Sequence, residues 1–425
     1  MAIAPIVFAL SLLQPPVATA RRPLREVNTV PRPKATHPVA IVGGTLIDGR
    51  GGAPVENAVV LIRGDRIVAA GRRAAVAVPP AATVVDATGL SILPGLIDAH
   101  FHLDGDHGLP ALFLRHGVTS VRDPGAWIET YDTARASSGP LPRFFLAGPH
   151  LDQPPPAYPD DAFLVRDAEE TRAAVNRFID QGASVIKVYF RLPPSLIAVA
   201  TETAHRRGVP VTAHLETVDA ATAIAAGIDG IEHVTSLGTA LLPPREAERY
   251  RRAIVADNNA RRDGRYRVFR ELRLDAEPTM RLLALMARHG VALSATLAVF
   301  ERRPGDPGAD EAQVQGFRQM VTLTGMAKRA GVRVVVGSHS SVPHAKRGWA
   351  YHREMELLVE AGLTPMEAIV AATWDNARFF RVAERLGSIE AGKLADLVLV
   401  RGRPDQDIAA MRQIARVMIN GGWID

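Results

Sequence analysis

The segment Gly95-Leu-Ile-Asp-Ala-His100-Phe-His102 closes a short apolar run with two histidines at positions i and i+2. In a β-strand, side chains at this spacing lie on one face, roughly 7 Å apart at the backbone. Both imidazoles can then reach one shared metal ion, although such a pair also occurs at surfaces or in cores without a metal. We therefore interpret Ile97 to His102 as a strand whose C-terminal end carries candidate ligands.

Three more nitrogen-bearing side chains stand in or at the end of β-like runs. Lys187 lies within the apolar run Ser184-Val-Ile-Lys-Val-Tyr-Phe, and His214 and His233 each end such a run. A buried lysine without a partner is costly, so Lys187 must be paired, exposed at a strand end or chemically altered. Either histidine taken alone is better explained as a structural residue.

The order of these residues along the chain favours a shared site. Between about Leu93 and Arg385, β-branched runs alternate with helical stretches, which is typical of βα units and a parallel sheet. After the first strand, the candidate strands end near Asp123, Gly148, Phe190, His214, His233, Leu297 and His339. Eight such units close a barrel of this length.

With about 30 residues in each unit, Lys187, His214 and His233 fall on successive strands of this predicted barrel. Their side chains then meet those of His100 and His102 at the C-terminal rim, where barrel enzymes place their chemistry. Five nitrogen side chains meeting there without a metal ion would repel one another or stay unsatisfied. The constellation therefore predicts a metal centre.

Both ends of the chain have a different texture, with β-rich runs interrupted by glycine. Gly64-Asp65 marks a hairpin near the first end, and Leu394 to Val400 repeats the pattern near the other. We predict an α/β fold in which residues 93–385 form a (β/α)8 TIM-like barrel. Residues 38–92 and 386–425 together form a small β-sandwich.

Composition excludes several classes of protein. The 425 residues are 47% hydrophobic and 22% charged, as in an ordinary globular protein long enough for two domains. A formal net charge of +5 is small for this length, and no nucleic-acid-reading motif accompanies it, so we expect no nucleic-acid partner. The absence of cysteine excludes disulfides and thiolate ligands, which leaves His, Asp, Glu or modified Lys to bind metal.

The first residues have features of an export signal. The apolar run Ile3 to Leu13 is too short to span a bilayer, and Val17-Ala18-Thr19-Ala20 resembles a signal-peptidase site. We predict a signal peptide over residues 1–20, a Pro- and Arg-rich linker over 21–37, and no membrane span in the mature chain. Export to the periplasm or the exterior follows, but the lack of Lys or Arg before Arg21 leaves a cytoplasmic location open.

These motifs together resemble the amidohydrolase superfamily, in its binuclear branch of imidazolonepropionase-like and Xaa-Pro-dipeptidase-like enzymes. The resemblance covers essentially the whole chain after the linker. It is carried by Pro94-Gly-Leu-Ile-Asp-Ala-His-Phe-His, by Gly117-Val-Thr-Ser-Val-Arg-Asp-Pro-Gly, by Lys187, His214 and His233, and by Leu386-Gly-Ser-Ile-Glu-Ala-Gly-Lys-Leu-Ala-Asp-Leu.

The resemblance implies two divalent cations, with zinc expected because the ligands are mainly nitrogen. His100 and His102 would bind the inner ion and His214 and His233 the outer one. Lys187, carbamylated by carbon dioxide, would bridge both ions. Carbamylation turns a cationic amine into an anionic oxygen ligand, which suits a site holding two dications.

One position departs from the family pattern, which has an aspartate at the end of the eighth strand as metal ligand and proton shuttle. His339 stands there in Val334-Val-Val-Gly-Ser-His339-Ser-Ser, with no acidic residue nearby. We predict that His339 is the general base and shuttle, with metal ligation as the alternative. Tyr189 shares a strand face with Lys187, so it is a candidate substrate contact or simply barrel filling.

The implied reaction is attack by metal-activated hydroxide on an amide, ester, lactone or cyclic amide of a small molecule. A dipeptidase-like or N-acyl amino acid hydrolase fits this description. The alternatives are a mononuclear ring deaminase of the same superfamily, which Lys187 argues against, and a metal-binding homologue with impaired catalysis, supported only by His339. A homo-oligomer remains open.

The interval from His233 to His339 is longer than two βα units require, which predicts an insertion. Its expected position is Pro244 to Asp275, after the sixth strand and over the mouth of the barrel. This segment is crowded with Arg245, Arg249, Arg251, Arg252, Arg261, Arg262, Arg265, Arg267, Arg270 and Arg273. We interpret it as a lid that favours anionic substrates; a solvated helical face is the alternative.

The purified protein is predicted to carry about two divalent cations per chain, because five nitrogen side chains at one rim need positive ions. Elemental analysis of protein dialysed against metal-free buffer measures this content. Absence of bound metal, together with no uptake of added Zn, Mn or Co, would contradict the predicted metal centre.

Overall fold

The computed structural model describes residues 25–28, 30, 37–137 and 139–424. The predicted signal peptide and most of the predicted linker lie outside these residues. Within the described part of the chain, no helix is both long and apolar enough to cross a membrane.

Short strands alternate with helices through most of the chain. The strands are β1 Val39–Val42, β2 Thr45–Leu46, β3 Ala58–Arg63, β4 Arg66–Arg72, β5 Thr83–Asp86, β6 Leu90–Pro94, β7 Leu96–Asp98, β8 Val118–Asp123, β9 Arg143–Leu146, β10 His150–Asp152, β11 Ala162–Leu164, β12 Ile186–Val188, β13 Val211–Ala213, β14 Gly230–Glu232, β15 Ala292–Ser294, β16 Val334–Val335, β17 Leu397–Arg401, β18 Ile414–Ile419 and β19 Gly422–Ile424. The α-helices are α1 Leu109–Arg115, α2 Asp132–Ala136, α3 Ala168–Gln181, α4 Pro194–Arg206, α5 Ala220–Ala225, α6 Gly238–Leu241, α7 Pro244–Ala256, α8 Ala260–Glu271, α9 Glu277–His289, α10 Leu297–Phe300, α11 Glu311–Arg329, α12 Ala350–Glu360, α13 Pro365–Val370 and α14 Asn376–Phe379.

Parallel strands in the middle of the chain form a closed barrel. One sheet has the order β7-β8-β9, and the other runs β11-β10-β12-β13-β14-β15-β16. Backbone hydrogen bonds join β16 to β7, because Ala99 N donates to Val336 O at 2.9 Å and His339 N donates to His100 O at 2.6 Å. On the other side, Ser184 N donates to Leu146 O at 2.7 Å. The predicted barrel fold is confirmed.

Several barrel strands end before the residues that sequence patterning assigned to their ends. The first strand was expected to reach His102, but β7 stops at Asp98. The last strand, expected to reach His339, stops at Val335. The reason is that the Asp98 carboxylate accepts the backbone N–H groups of His100 and Ser338, both at 2.9 Å, in place of ladder partners. The candidate ligands therefore lie on bends just past the strands.

The two chain ends supply a pair of sheets, as the β-rich texture predicts. Their orders are β4-β3-β1-β5 and β19-β18-β17-β6-β2, and β3 and β4 form the hairpin at Gly64-Asp65. A shared apolar core fills the space between them and includes Ile41, Val60, Ile62, Ile92, Leu397, Leu399 and Met418. The exact boundaries of this sandwich, 38–92 and 386–425, stay a prediction.

The predicted insertion after the sixth barrel strand consists of two helices. The chain leaves β14, passes the short helix α6, and then forms α7 and α8 before α9 returns to the barrel. Helix α8 packs along α11, and this contact holds the insertion against the barrel.

A buried ion pair joins the barrel to the sandwich. The Arg143 guanidinium at the start of β9 donates from Nε and Nη2 to both carboxylate oxygens of Asp396, at 3.0 and 3.1 Å. Its remaining nitrogen donates to Glu26 at 3.1 Å. Asp396 also accepts the backbone N–H of Asn420 at 2.6 Å. Both charges are shielded from water, so each depends on the other.

Arg143→Met is expected to lower the thermal unfolding midpoint by several degrees, because it leaves the Asp396 carboxylate buried without its counter-ion. Breaking such a pair costs about 3–5 kcal/mol. Differential scanning calorimetry measures the shift. Arg135→Met is the matched control, since its pair with Asp132 is exposed and such pairs contribute about 0–1 kcal/mol. Equal shifts in the two variants would contradict the bridging role.

Candidate active site

A cavity of about 340 Å³ opens at the C-terminal rim of the barrel. Its lining includes all seven residues that the sequence singled out as the site, namely His100, His102, Lys187, Tyr189, His214, His233 and His339. They come from the ends of β7, β12, β13, β14 and β16. The barrel therefore brings together residues that are up to 239 positions apart.

The His100 and His102 rings are nearly perpendicular, with an interplanar angle of 76°, and their Nε2 atoms lie 3.0 Å apart. His100 Nδ1 lies 2.7 Å from a Glu232 carboxylate oxygen, and His102 Nδ1 lies 3.4 Å from an Asp123 oxygen. A carboxylate partner holds the proton on Nδ1, which leaves the lone pair on Nε2. Two lone pairs at this distance repel unless a proton or a metal cation lies between them. This donor set fits a divalent cation.

Buried groups fix the partners of these two rings. Glu232 also accepts a 2.6 Å bond from Arg122, whose Nε donates to the Ala99 carbonyl at 2.7 Å. Asp123 accepts from the Tyr131 hydroxyl at 2.7 Å and from the backbone N–H of Gly125 at 3.0 Å. Although burial alone would raise the pKa of Glu232, nearby Arg122 and Lys187 hold it below its usual value. Glu232 is therefore an ionised acceptor for His100.

His339 lies beside this pair. One ring nitrogen from each of His100, His102 and His339 lies within 4.8 Å of the others, a spacing at which three imidazoles can hold one ion. The His339 backbone has a φ of +57°, and that of Ser340 is +60°, a left-handed conformation that is uncommon outside glycine. Burial lowers the pKa of His339 to about 3, so the ring is neutral at physiological pH.

His214 and His233 form the other side of the cavity, with ring centroids 4.6 Å apart. His233 Nδ1 lies 2.7 Å from the Thr296 hydroxyl, while His214 Nδ1 is buried without a hydrogen-bond partner. Burial, with Lys187 nearby in the case of His214, holds both pKa values well below the usual range. Neutral rings of this kind are competent metal ligands. Tyr189 packs on His214 with centroids 4.6 Å apart.

Lys187 projects from β12 into the same cavity and is only 4% exposed. Burial lowers the pKa of its amine to about 8, and the neighbouring charge of Glu232 acts in the opposite direction. A substantial fraction of the amine is therefore neutral near physiological pH. A neutral amine is the form that reacts with carbon dioxide.

Sequence patterning missed four residues that contribute to this site. Arg122 and Glu232 lie under His100, Asp123 supports His102, and His150 lines the cavity. Asp123 and Glu232 do end strands in the sequence, and this signal could have identified them. His150 stacks on Tyr189 with centroids 4.1 Å apart, and its Nε2 has no hydrogen-bond partner among the described residues.

The sequence of the chain is similar to those of known proteins. Residues 91–424 match the profile of the Amidohydrolase family. An N-acyl-D-aspartate deacylase from Alcaligenes xylosoxydans xylosoxydans is 36% identical over 151 residues, which are 35% of this chain and 28% of the deacylase. The chain therefore matches little more than a quarter of that relative's length.

Solved structures resemble the chain over most of its length. A protein described as a prolidase from Bifidobacterium longum has a TM-score of 0.71 and 25% identity, with 92% of this chain and 95% of that chain covered. A Xaa-Pro dipeptidase with methionine bound in its active site has a TM-score of 0.70 and 21% identity, covering 91% of this chain and all (100%) of that chain. This second likeness concerns the fold alone.

His339→Ala separates the two roles open to this residue. If His339 is a metal ligand, the variant should lose bound metal first. If His339 is a proton shuttle, the variant should keep its metal, and its kcat should fall by roughly 10²- to 10⁴-fold. The pKa of about 3 means that neutral His339 persists as pH falls, so His339 should produce no loss of activity between about pH 5 and 8. Elemental analysis and a pH profile of kcat measure both. A variant that keeps its full metal content and its full kcat would contradict both roles.

Proposed function

Because the chain belongs to the amidohydrolase family, we propose that it is a metal-dependent hydrolase that cleaves a carbon–nitrogen bond of a small amide. The observation that carries this proposal is the 3.0 Å distance between the Nε2 atoms of His100 and His102 inside the barrel mouth, which brings their lone pairs together when both rings carry the proton on Nδ1. A cation relieves their repulsion. The cavity beside them has room for a small molecule.

We assign the ligands in two groups. His100 and His102 hold one ion, with His339 as a possible third nitrogen on the same side. His214 and His233 hold the other, and Lys187 links the two as its carbamate. The low pKa of Lys187, about 8, supports this modification because it supplies the neutral amine. Zinc is the proposed metal, since the donors are mainly imidazole nitrogens.

Divalent cations in such a site activate water as a nucleophile and polarise the carbonyl that it attacks. The chain's own side chains bind and orient the substrate. The buried Phe300 and Tyr189 line the cavity and restrict water. His150 also lines the cavity, and its Nε2 has no hydrogen-bond partner among the described residues, so it is a candidate to hydrogen-bond a substrate oxygen. His339 is neutral, but a pKa of about 3 makes it a weak proton acceptor, which favours its alternative role as a metal ligand beside His100 and His102.

Dipeptides and N-acyl amino acids are the proposed substrates. The solved structures above include a Xaa-Pro dipeptidase and a protein described as a prolidase, and the partial relative is an N-acyl-D-aspartate deacylase. A cavity of about 340 Å³ lies at the small end of the usual range for ligand sites, which favours substrates of this size.

A mononuclear ring deaminase remains the second candidate. Lys187 argues against it, because the family resemblance assigns a lysine at this position to sites with two ions. A metal-binding homologue without activity is the third, and only the His339 substitution supports it. Turnover of an amide by metal-loaded protein would exclude the last of these.

Lys187→Ala is expected to lose both bound metal and amide hydrolysis, because the carbamate proposed on Lys187 supplies the bridging anionic oxygen. The test uses metal-loaded protein with a panel of dipeptides, N-acetyl amino acids, lactones and cyclic amides, followed by release of amine or acid. Formate or acetate should restore part of the activity of Lys187→Ala by replacing the carbamate. Lys328→Ala is the matched control, since Lys328 lies on α11 outside the cavity. A fully active Lys187→Ala would overturn the carbamate role.

A further inference from the structure

The insertion brings ten arginines near the barrel mouth, and these arginines differ in their exposure to solvent. Those that are exposed to solvent are Arg245, Arg249, Arg252, Arg262, Arg267, Arg270 and Arg273. Arg251 is half-buried and lies 3.8 Å from Asp219. Only Arg261 and Arg265 line the cavity that holds the candidate metal ligands. They are one turn apart on α8, on the face that points into the site.

Arg265 already has a counter-charge. Its Nη2 donates to a Glu216 carboxylate oxygen at 3.2 Å, and its guanidinium carbon lies 5.2 Å from the centroid of the Phe300 ring. Glu216 also accepts the Tyr250 hydroxyl at 2.9 Å, which ties α7 and α8 to the end of the fifth barrel strand. The charge of Arg265 is therefore balanced within the protein.

Arg261 has no such partner. Its side chain is 3% exposed, and its Nε has no hydrogen-bond acceptor within the described part of the chain. The guanidinium group hydrogen-bonds to the uncharged Tyr158 hydroxyl, and its carbon lies 5.1 Å from the centroid of the Tyr158 ring and 5.5 Å from that of Phe190. Aromatic faces attract a cation, but they do not neutralise its charge. No ion pair joins Arg261 to a carboxylate among residues 25–28, 30, 37–137 and 139–424.

A buried cation without a counter-ion is unfavourable, so proteins retain one mainly where a ligand supplies the missing charge. Asp104 and Asp161 also line the cavity, but both are exposed to solvent and keep their hydration. The guanidinium group can accept a carboxylate through two parallel hydrogen bonds, and a site shielded from water strengthens them.

We infer that Arg261 binds the carboxylate of the substrate and makes the enzyme selective for amides that carry a free acid group. The inference rests on the proposed function and narrows its substrates to N-acyl amino acids and dipeptides. Lactones, cyclic amides and other uncharged compounds should be poorer substrates. Helix α8 thereby acts as a specificity element that the barrel itself does not contain. The rival explanation is structural, in which Arg261 only clamps α8 onto the rings of Tyr158 and Phe190.

The test compares Arg261→Met with Arg267→Met, a control on the same helix whose side chain is exposed. Each metal-loaded protein is given N-acetyl amino acids and, in parallel, the same compounds with a C-terminal carboxamide, so that only the charge differs. Calorimetric titration measures the Kd of each compound, and amine release measures KM and kcat. Thermal unfolding without ligand measures stability.

Arg261→Met is expected to raise Kd and KM for the acids by about 10- to 100-fold, the usual effect of losing a charge-assisted hydrogen bond. Values for the carboxamides should stay within about twofold of those of the unmodified protein. The unfolding midpoint should stay the same or rise, because an uncompensated buried charge has been removed. Arg261→Lys keeps the charge but not the paired bonds, so it should show a smaller loss for the acids alone. Arg267→Met should change none of these values.

Equal weakening of acids and carboxamides, or a lower unfolding midpoint in Arg261→Met, would support the structural clamp and overturn the inference. So would an unmodified protein that binds both series equally. A different result would overturn the proposed function without overturning this inference. If acids bind more tightly than carboxamides through Arg261 but neither is hydrolysed, the carboxylate site stands and the hydrolase does not.

Discussion

The constraint on which this structure depends is the placement of several histidine ring nitrogens within a few ångströms of one another. The Nε2 atoms of His100 and His102 are 3.0 Å apart, and a ring nitrogen of His339 is close to both. Such a group of lone pairs is unfavourable by itself. A bound cation would stabilise this arrangement, which the surrounding buried groups already hold in place.

Much of the surrounding architecture serves to maintain this arrangement. Carboxylates of Glu232 and Asp123 select the tautomers of the two histidine rings, and Arg122 in turn compensates the charge of Glu232. Asp98 holds the chain on the bends after the first and last barrel strands by accepting two backbone N–H groups. These groups are buried, so their interactions are not weakened by water. Their effect is to hold the ring nitrogens in the positions that the proposed metal site requires.

The insertion after the sixth strand adds a second kind of constraint to the same cavity. The barrel mouth is built from histidines and a lysine, whereas α8 contributes two guanidinium groups that differ in their partners. Arg265 is balanced by Glu216, and Arg261 faces the cavity without a carboxylate partner in the described structure. The proposed metal site and the proposed carboxylate site therefore depend on different elements of the fold.

The sequence alone determined which residues meet at the barrel rim. The spacing of His100 and His102, the order of Lys187, His214 and His233, and the length of the βα units were sufficient, because parallel strands in a barrel all end at one face. The same pattern located the insertion and its arginines. It overestimated the length of the first and last strands, since the hydrogen bonds of the Asp98 carboxylate leave no trace in local residue patterns.

Only the tertiary structure decided the partners of those residues. Glu232 lies 132 positions from His100 in the sequence, and nothing in the periodicity of either segment predicts that the two will touch. Likewise, Arg261 and Arg262 are neighbours in sequence, but one lies in the active cavity and the other in solvent. The rotation of α8 on the barrel makes that difference. Charge and burial together set the chemistry of a side chain, and burial is a property of the packed fold.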